Sequence, residues 1–562
     1  MSNQIENITI VGGGTAGWMA AIYLATRFGQ QPNRPGPRIV LVESPNVPTV
    51  GVGEATVPAM RAWLDEMGID ENEFLLRCNG SFKLGVRFRN WDVAADGTPA
   101  DYIHPFQGVT SEIRGNSTGY YFHAFGNPDG RADATDALTP ATALIKAGRA
   151  PRGVQKKPDD GDVRYAYHLD AGLFAGLLKD VALARGVEHV LDDVDDVEVG
   201  EKGFIDALHL RQRGRYPVEL VIDCTGFKGL LINKALGEPF EPYNKWLLCD
   251  RALAVQIPHE DLSTLVPYTQ STALGAGWSW RVPLYSRIGT GYVFSSAFRT
   301  DEQAIAEFLA HLGPAAAKAE PRALSMRVGR TRRGWVGNCV AIGLSSGFIE
   351  PLESTAIFLI QRSLETLGQY LPDRTFDPVL ARRFNTIVER MYAEIRDFIV
   401  LHYCASNRTD DPFWEAARND IEIPAPLQEN LELWSRILPN AGDVPNSHLF
   451  NSLSYMLVLF GKHYYDGVTF PIQGTLPAAN WTGFSRALDD LKTRLIRELP
   501  GHADLVTQLR AKAEAARGIT APTSILGQTP TQAQRPTIPM PGQALQPEIR
   551  FSPGVLSEAH IL

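Results

Sequence analysis

Apolar residues along this chain fall into three rhythms, and the changes from one to another mark its elements. The first is a short, unbroken β-prone run closed by small residues. Ile8, Thr9, Ile10 and Val11 lead into Gly12, Gly13 and Gly14, and an alanine-rich stretch with helical spacing, 18–27, follows. Similar runs stand at 38–42, at 220–223 before Cys224, Thr225 and Gly226, and at 340–342 before Gly343, Leu344 and Ser345. Run, tight turn and helix together describe units of a parallel sheet, with the late run at 220–223 returning beside the first. After the 340–342 run a long helix is predicted over 352–370, with Glu353, Ser354 and Thr355 in its first turn.

The second rhythm is strict alternation, the signature of a half-buried strand. Over 81–91, Phe82, Leu84, Val86 and Phe88 share one face, and Lys83, Gly85, Arg87 and Arg89 share the other. On pattern alone Lys83 is a solvated strand lysine. Trp278 and Trp280, two apart, point to one face of a strand that Pro283 places near a strand end or sheet edge. Another strand is expected over 291–296, and 187–199 reads as a strand pair with an acidic turn.

The third rhythm is helical. It covers 58–68, with Pro58 in the first turn and Thr56 as its cap, then 171–185, and most of 375–509. Aromatic residues cluster in that last region at 398–403, 413–414 and 448–465, as in a helical cap over something apolar. Residues 111–164, rich in Gly, Asp, Pro and Ala, predict long surface excursions. Beyond 516 the chain turns to Pro, Gln, Thr and Ala and predicts no packed structure.

Charge and cysteine usage narrow the chemistry. A net charge of -9, from 54 Lys and Arg against 63 Asp and Glu, argues against a nucleic-acid partner, which needs a basic face. Five scattered cysteines without a C-x-x-C pair indicate neither a zinc site nor a disulfide framework, so no metal is expected. No apolar run approaches the length of a membrane span, and the first strand begins almost at once. A soluble, cytoplasmic protein is the expectation.

Gly12, Gly14 and Gly17 form a G-x-G-x-x-G turn between strand and helix: the first permits the turn, the second lets a pyrophosphate approach, and the third lets helix and strand pack closely. Glu43, ending the second run, stands where such units place the carboxylate that accepts from a ribose hydroxyl. Val50 to Pro58 is a glycine-rich loop able to pass close to a ring system. No second Gly-rich turn for a nicotinamide follows.

Four signatures in order, Gly12 to Gly17, Phe82-Lys83-Leu84 ending at Asn90-Trp91, the W-x-W-x-V-P box at Trp278 to Pro283, and Pro351-Leu352-Glu353-Ser354-Thr355, resemble the flavin-dependent tryptophan halogenase family. The resemblance covers most of residues 5–370. It implies an α/β, FAD-binding Rossmann-like fold of aromatic-hydroxylase type, with a mixed substrate sheet and a helical C-terminal cap. The body is expected over 1–360, its FAD module split among about 1–60, 160–230 and 330–360, the cap over 361–517 and a Pro/Gln-rich tail over 518–562.

The same resemblance implies an enzyme that uses reduced FAD, dioxygen and chloride or bromide to make hypohalous acid and halogenate an electron-rich aromatic, an indole or tryptophan derivative. It assigns Gly12, Gly14, Thr15, Ala16, Gly17, Glu43, Ala55, Leu344 and Ile357 to the cofactor. Lys83 would hold the oxidant by hydrogen bonding or as a haloamine, and Glu353 would assist the electrophile and receive the ring proton. Thr355 and Ala356 match the halide turn, where the family usually has Gly in place of Ala356. His104, Phe106 and Ser354 would face substrate and Tyr455 would close the other side. Trp278 and Trp280 would stand at the flavin and keep substrate off its ring.

With one dinucleotide fingerprint, a separate flavin reductase is implied; a homodimer is compatible with the sequence and not specified by it. The rival readings are an FAD-dependent aromatic monooxygenase, against which Lys83, Glu353 and the tryptophan box speak, and a non-catalytic flavin-binding protein. A G-x-S-x-G hydrolase elbow is absent from the sequence.

Overall fold

The computed structural model describes residues 3–30, 35–47, 53–94, 97–106, 112–127, 132–155, 163–316, 319–445 and 447–516. The expected 518–562 tail and part of the Val50 to Pro58 loop lie outside these residues.

The short apolar runs assemble into one six-stranded sheet in the order Glu188–Leu191, Arg38–Glu43, Asn7–Val11, Leu220–Asp223, Cys339–Ala341, Trp335–Val336. The first four neighbouring pairs are parallel and only the Trp335–Val336 edge is antiparallel. The run at 220–223 lies beside the first strand in register, Ile8 opposite Leu220. Thr15–Arg27 is a 13-residue helix whose residues from Thr15 to Ala25 are all buried.

Gly17 makes that packing possible: a Cβ there would stand 1.8 Å from the Gly12 carbonyl oxygen. Gly17→Ala is therefore expected to force helix and turn apart, costing ~1–3 kcal/mol and abolishing FAD binding. Urea denaturation and fluorescence titration with FAD check both effects.

Alternating segments build a seven-stranded sheet, Arg322–Ser325, Arg251–Ile257, Ile288–Phe294, Gly277–Pro283, Thr269–Leu274, Gly85–Val93, Pro99–Pro105. The expected strand over 81–91 is broken at Leu84. The Leu84 N–H donates to the Pro267 carbonyl at 2.7 Å, and its own carbonyl accepts from Phe106 N–H at 3.0 Å. Ser81–Lys83 therefore joins a different, three-stranded sheet with Ala166–Asp170 and Gly53–Ala55. That break carries Lys83 out of the large sheet's outer face and into the interior, where it is 0 % exposed, so the solvated-lysine pattern is corrected.

Four other local expectations are corrected. Thr56 does not cap the helix Ala59–Glu66; its hydroxyl donates to the Tyr167 carbonyl and accepts from Tyr167 N–H. Residues 187–199 are not a pair, because Glu188–Leu191 extends the parallel sheet while Val194–Val199 lies in a separate three-stranded one. Within 111–164, short helices at Thr118–Tyr121, Ala134–Leu138 and Ala141–Lys146 bury Tyr121, Leu138 and Leu144. The helix expected from 352 begins at Ala356 and runs to Gln369, preceded by a 3-10 turn, Pro351–Glu353. Ser354 between them is left-handed, φ 61°.

The C-terminal third is helical, led by the 27-residue helix Pro378–Cys404 with Ala478–Glu498 and His502–Ala516. One continuous hydrophobic core joins residues of the parallel sheet's helices to the aromatic residues of this region. No helix among the described residues is long and apolar enough to cross a membrane.

Candidate active site

At the C-terminal ends of the first parallel strands lies a cleft of about 200 Å³ lined by Gly12, Gly13, Gly14, Thr15, Ala16, Glu43, Thr225 and Leu344, among others. A Cβ at Gly14 would meet no atom of the described residues within 4 Å, so their packing does not require glycine there. The space in front of it, at the N-terminus of a buried helix, fits a pyrophosphate. Glu43 lies at the cleft with its carboxylate 2.7 Å from His189 Nε2 and 3.9 Å from Lys179 Nζ. Ala55 lines a second, smaller cavity, and Ile357 is buried in the core.

That second cavity brings together residues distant in sequence: Glu54, Ala55, Trp280, Val282, Pro351 and Ser354. Trp278, one strand pleat away, is buried and donates from Nε1 to Glu350 Oε2 at 2.7 Å, an oxygen that also accepts from the Tyr403 hydroxyl at 2.7 Å. Burial pushes the Glu350 carboxyl up to about 7 against these two donors. Glu350 thereby ties the tryptophan box to the turn that carries Glu353. Burial likewise pushes Glu54 well above the usual carboxylate range, with Lys83 opposing.

Lys83 extends into this interior and donates to Ser354 Oγ at 2.7 Å and to the Thr56 carbonyl at 3.2 Å, with its ammonium 5.0 Å from the Phe106 ring centre. Burial brings its pKa down to about 7, opposed by the charges of Glu353 and Glu54. Glu353 is 1 % exposed. Its Oε1 is 2.9 Å from His104 Nδ1 and 3.1 Å from His402 Nε2. Burial alone would raise this carboxyl; the charge and hydrogen bond of His104, then His402, outweigh it and hold the group at about 2. Thr355, the residue before the helix, is 1 % exposed, and its hydroxyl has no hydrogen-bond partner among the described residues. Ala356 opens the helix beside it.

Aromatic rings wall this centre. His104 lies 5.3 Å from Phe398 and 6.1 Å from Phe450; Phe398 and Phe450 stack at 3.9 Å, and Tyr455 meets Phe398 edge-on at 5.0 Å. The structure thus gathers Lys83, Glu353, Ser354, His104, Phe106 and, through Phe398, Tyr455 into one region. His402, Phe398, Phe450 and Glu350 are members that sequence reasoning did not single out. One signal was present: Glu394, Phe398 and His402 recur every four residues, the spacing of one helix face. Glu394 accepts from the backbone N–H groups of His448, Leu449 and Phe450, which holds Phe450 against that face.

The family model described as tryptophan halogenase matches residues 7–476. The chain is 39 % identical over 539 residues to tryptophan 6-halogenase ThaL of Streptomyces albogriseolus, covering 91 % of this chain and 99 % of that one. It is 36 % identical to tryptophan 7-halogenase RebH of Lentzea aerocolonigenes, covering 90 % and 99 %. Among solved structures, a tryptophan C-6 flavin-dependent chlorinase from taromycin biosynthesis superposes with a TM-score of 0.83 at 36 % identity, over 90 % of this chain and 100 % of that one. BrvH, a flavin-dependent halogenase from Brevundimonas, gives 0.78 at 35 % identity, over 90 % and 100 %. With a family model over residues 7–476 and matches of this extent, the chain belongs to the flavin-dependent tryptophan halogenase family.

Proposed function

We propose that this halogenase acts on free indoles or related electron-rich aromatics in preference to tryptophan, with reduced FAD delivered by a separate flavin reductase. The observation that carries the reading is the convergence of a buried lysine and a buried carboxylate on one aromatic wall, His104, Phe398 and Phe450. When bound, reduced FAD would give two electrons to dioxygen, so that one oxygen leaves as water and the other oxidises halide to hypohalous acid; Gly12 to Ala16, Glu43 and Leu344 would hold it.

Lys83, kept between Ser354 and the Thr56 carbonyl, directs its third N–H at the oxidant and polarises it. Glu353, fixed by two histidines, stays ionised beside the ring and takes its proton. Thr355 offers an unpartnered hydroxyl, and the helix opening at Ala356 offers backbone donors, for a chloride or bromide ion. Trp280, on the cavity shared with Ser354, keeps the aromatic substrate away from the flavin ring.

Selectivity against tryptophan follows from the far side of the wall. The carboxylates there are engaged by the protein itself: Glu394 by the 448–450 backbone and His448, and Asp397 by Arg396. Glu394, with both oxygens used, is thereby closed to an amino acid's ammonium group, while Asp397 meets Arg396 through Oδ1 alone. A competition assay with equimolar indole and tryptophan, FAD, NADH, a generic flavin reductase and either halide, read by mass spectrometry, is expected to give mostly halogenated indole. A clear preference for tryptophan sinks the selectivity, and a hydroxylated product would favour the monooxygenase reading.

A further inference from the structure

The two nitrogens of His402 are constrained differently. Nδ1 lies 2.8 Å from the Phe398 carbonyl oxygen of its own helix. A carbonyl oxygen only accepts, so Nδ1 carries a hydrogen. Nε2 faces Glu353 Oε1 at 3.1 Å in a fully buried setting. With Glu353 ionised, a bare Nε2 would set two lone pairs against each other at that distance. The opposite neutral tautomer only moves the clash to the Phe398 carbonyl. The pair therefore binds one proton beyond the one on Nδ1.

We propose that His402 is a positioning residue: a buried imidazolium that donates to Glu353 Oε1, keeps that carboxylate ionised and turns its other oxygen to the substrate. This rests on the reading of Glu353 as the group that meets the aromatic substrate. Both imidazoles use Oε1, and Oε2 makes no hydrogen bond among the described residues. A carboxylate held by one oxygen and open at the other is oriented without being blocked.

The need for a counter-charge is local. Glu353 is 1 % exposed, and the two imidazoles that hold it are packed against Phe398, Phe450, Phe88 and Tyr102, an apolar setting in which an isolated carboxylate would take up a proton. The charged and titratable groups that face His402 are Glu353 from the turn before the Ala356 helix, His104 and Tyr102 from strand Pro99–Pro105, and Lys462. Burial, the largest influence, and Lys462 take the imidazole's pKa below its ordinary value against Glu353 and the Phe398 carbonyl; the charge is assigned from the two oxygens at 2.8 and 3.1 Å from its nitrogens. The imidazolium is thus conditional on Glu353, so the two groups act as a unit.

The test begins with the full-length chain labelled with [15N]histidine, without flavin or substrate. The nitrogens of its 12 histidines are followed from pH 5.5 to 9. The expected result is a ring with both nitrogens protonated at pH 7.5 that is lost in His402→Gln. If no doubly protonated ring disappears on the substitution, the proposal is overturned whether or not the enzyme turns over.

The kinetic arm uses His402→Gln, which retains an N–H toward Oε1 and carries no charge. Without the imidazolium the Glu353 pKa rises, so the fraction ionised falls most at acid pH. Single-turnover product formation is expected to drop at least about tenfold at pH 6 and less at pH 8, with KM for the aromatic within about twofold. A loss of the same size at every pH would mark His402 as packing alone and overturn the proposal. Failure of the halogenase reading would look different, as no halogenated product from the unaltered protein.

Discussion

Replacing Lys83 with alanine is expected to abolish halogenation, lowering product by at least about a thousandfold while the protein still binds FAD. The cofactor cleft does not include Lys83, so flavin titration should be unaffected and the loss should sit wholly in the chemical step. Arginine is not a substitute. The ammonium fits between one hydroxyl and one carbonyl, at 2.7 and 3.2 Å, and a planar guanidinium with five donors does not match that geometry. Retained halogenation in Lys83→Ala would remove the lysine from the mechanism.

The lysine's pKa of about 7 also separates the two roles it can play. An ammonium that polarises hypohalous acid is lost as pH rises through 7, so the single-turnover rate should fall on the alkaline side. A haloamine route needs the free amine and would make the rate rise over the same interval. The same shift has a cost in stability. Between about 7 and the ordinary 10.5 the native state binds fewer protons than the unfolded chain, so burial of Lys83 is destabilising below 7 and the penalty fades as pH rises toward 10.5. Lys83→Met should therefore be more resistant to heat than the parent at neutral pH, by a few kcal/mol at most, and no more resistant near pH 11.

Much of the fold was legible because its signals are local. The Gly12 turn, the four parallel runs and the long C-terminal helices each announce themselves by a period and a stop residue, and they appear where the pattern puts them. What was missed depends on contacts between distant segments. The alternation of 81–91 is real, but nothing within it says that Leu84 N–H will leave the ladder for Pro267 and carry Lys83 inward. The helix start at Ala356 was displaced because the left-handed Ser354 breaks a stretch whose residues otherwise suit a first turn. That conformation costs on the order of 1 kcal/mol for a residue with a Cβ and is held by the bond from Lys83 to its hydroxyl. His402 was silent for another reason: a histidine in an aromatic helical run reads as packing, and its role exists only because Glu353, 49 residues earlier, ends 3.1 Å away.

Glu353→Gln is expected to lower the rate of product formation about a hundredfold or more with little change in KM, and to change which step limits it. The amide keeps the shape and still reaches His104, yet it cannot accept the ring proton. Once halogen is bonded to carbon, rearomatisation then has to wait for water or for a poorer base. In the unaltered enzyme that proton transfer is expected to be fast, so ring-deuterated indole should react at the rate of ordinary indole. In the variant, cleavage of the carbon–deuterium bond limits the rate and a primary isotope effect emerges. Its pH behaviour supports the assignment: with the carboxyl held at about 2 against an ordinary 4.5, the parent's base stays ionised throughout the working range, so this group contributes no acid limb above pH 4.5. The bonds that lower it also stabilise the fold above pH 4.5, and that stabilisation is lost as pH falls through 2. A Glu353→Gln enzyme of full rate with no isotope effect would place the proton's exit elsewhere, and the two histidines bound to Oε1 would then be the first groups to test in its stead.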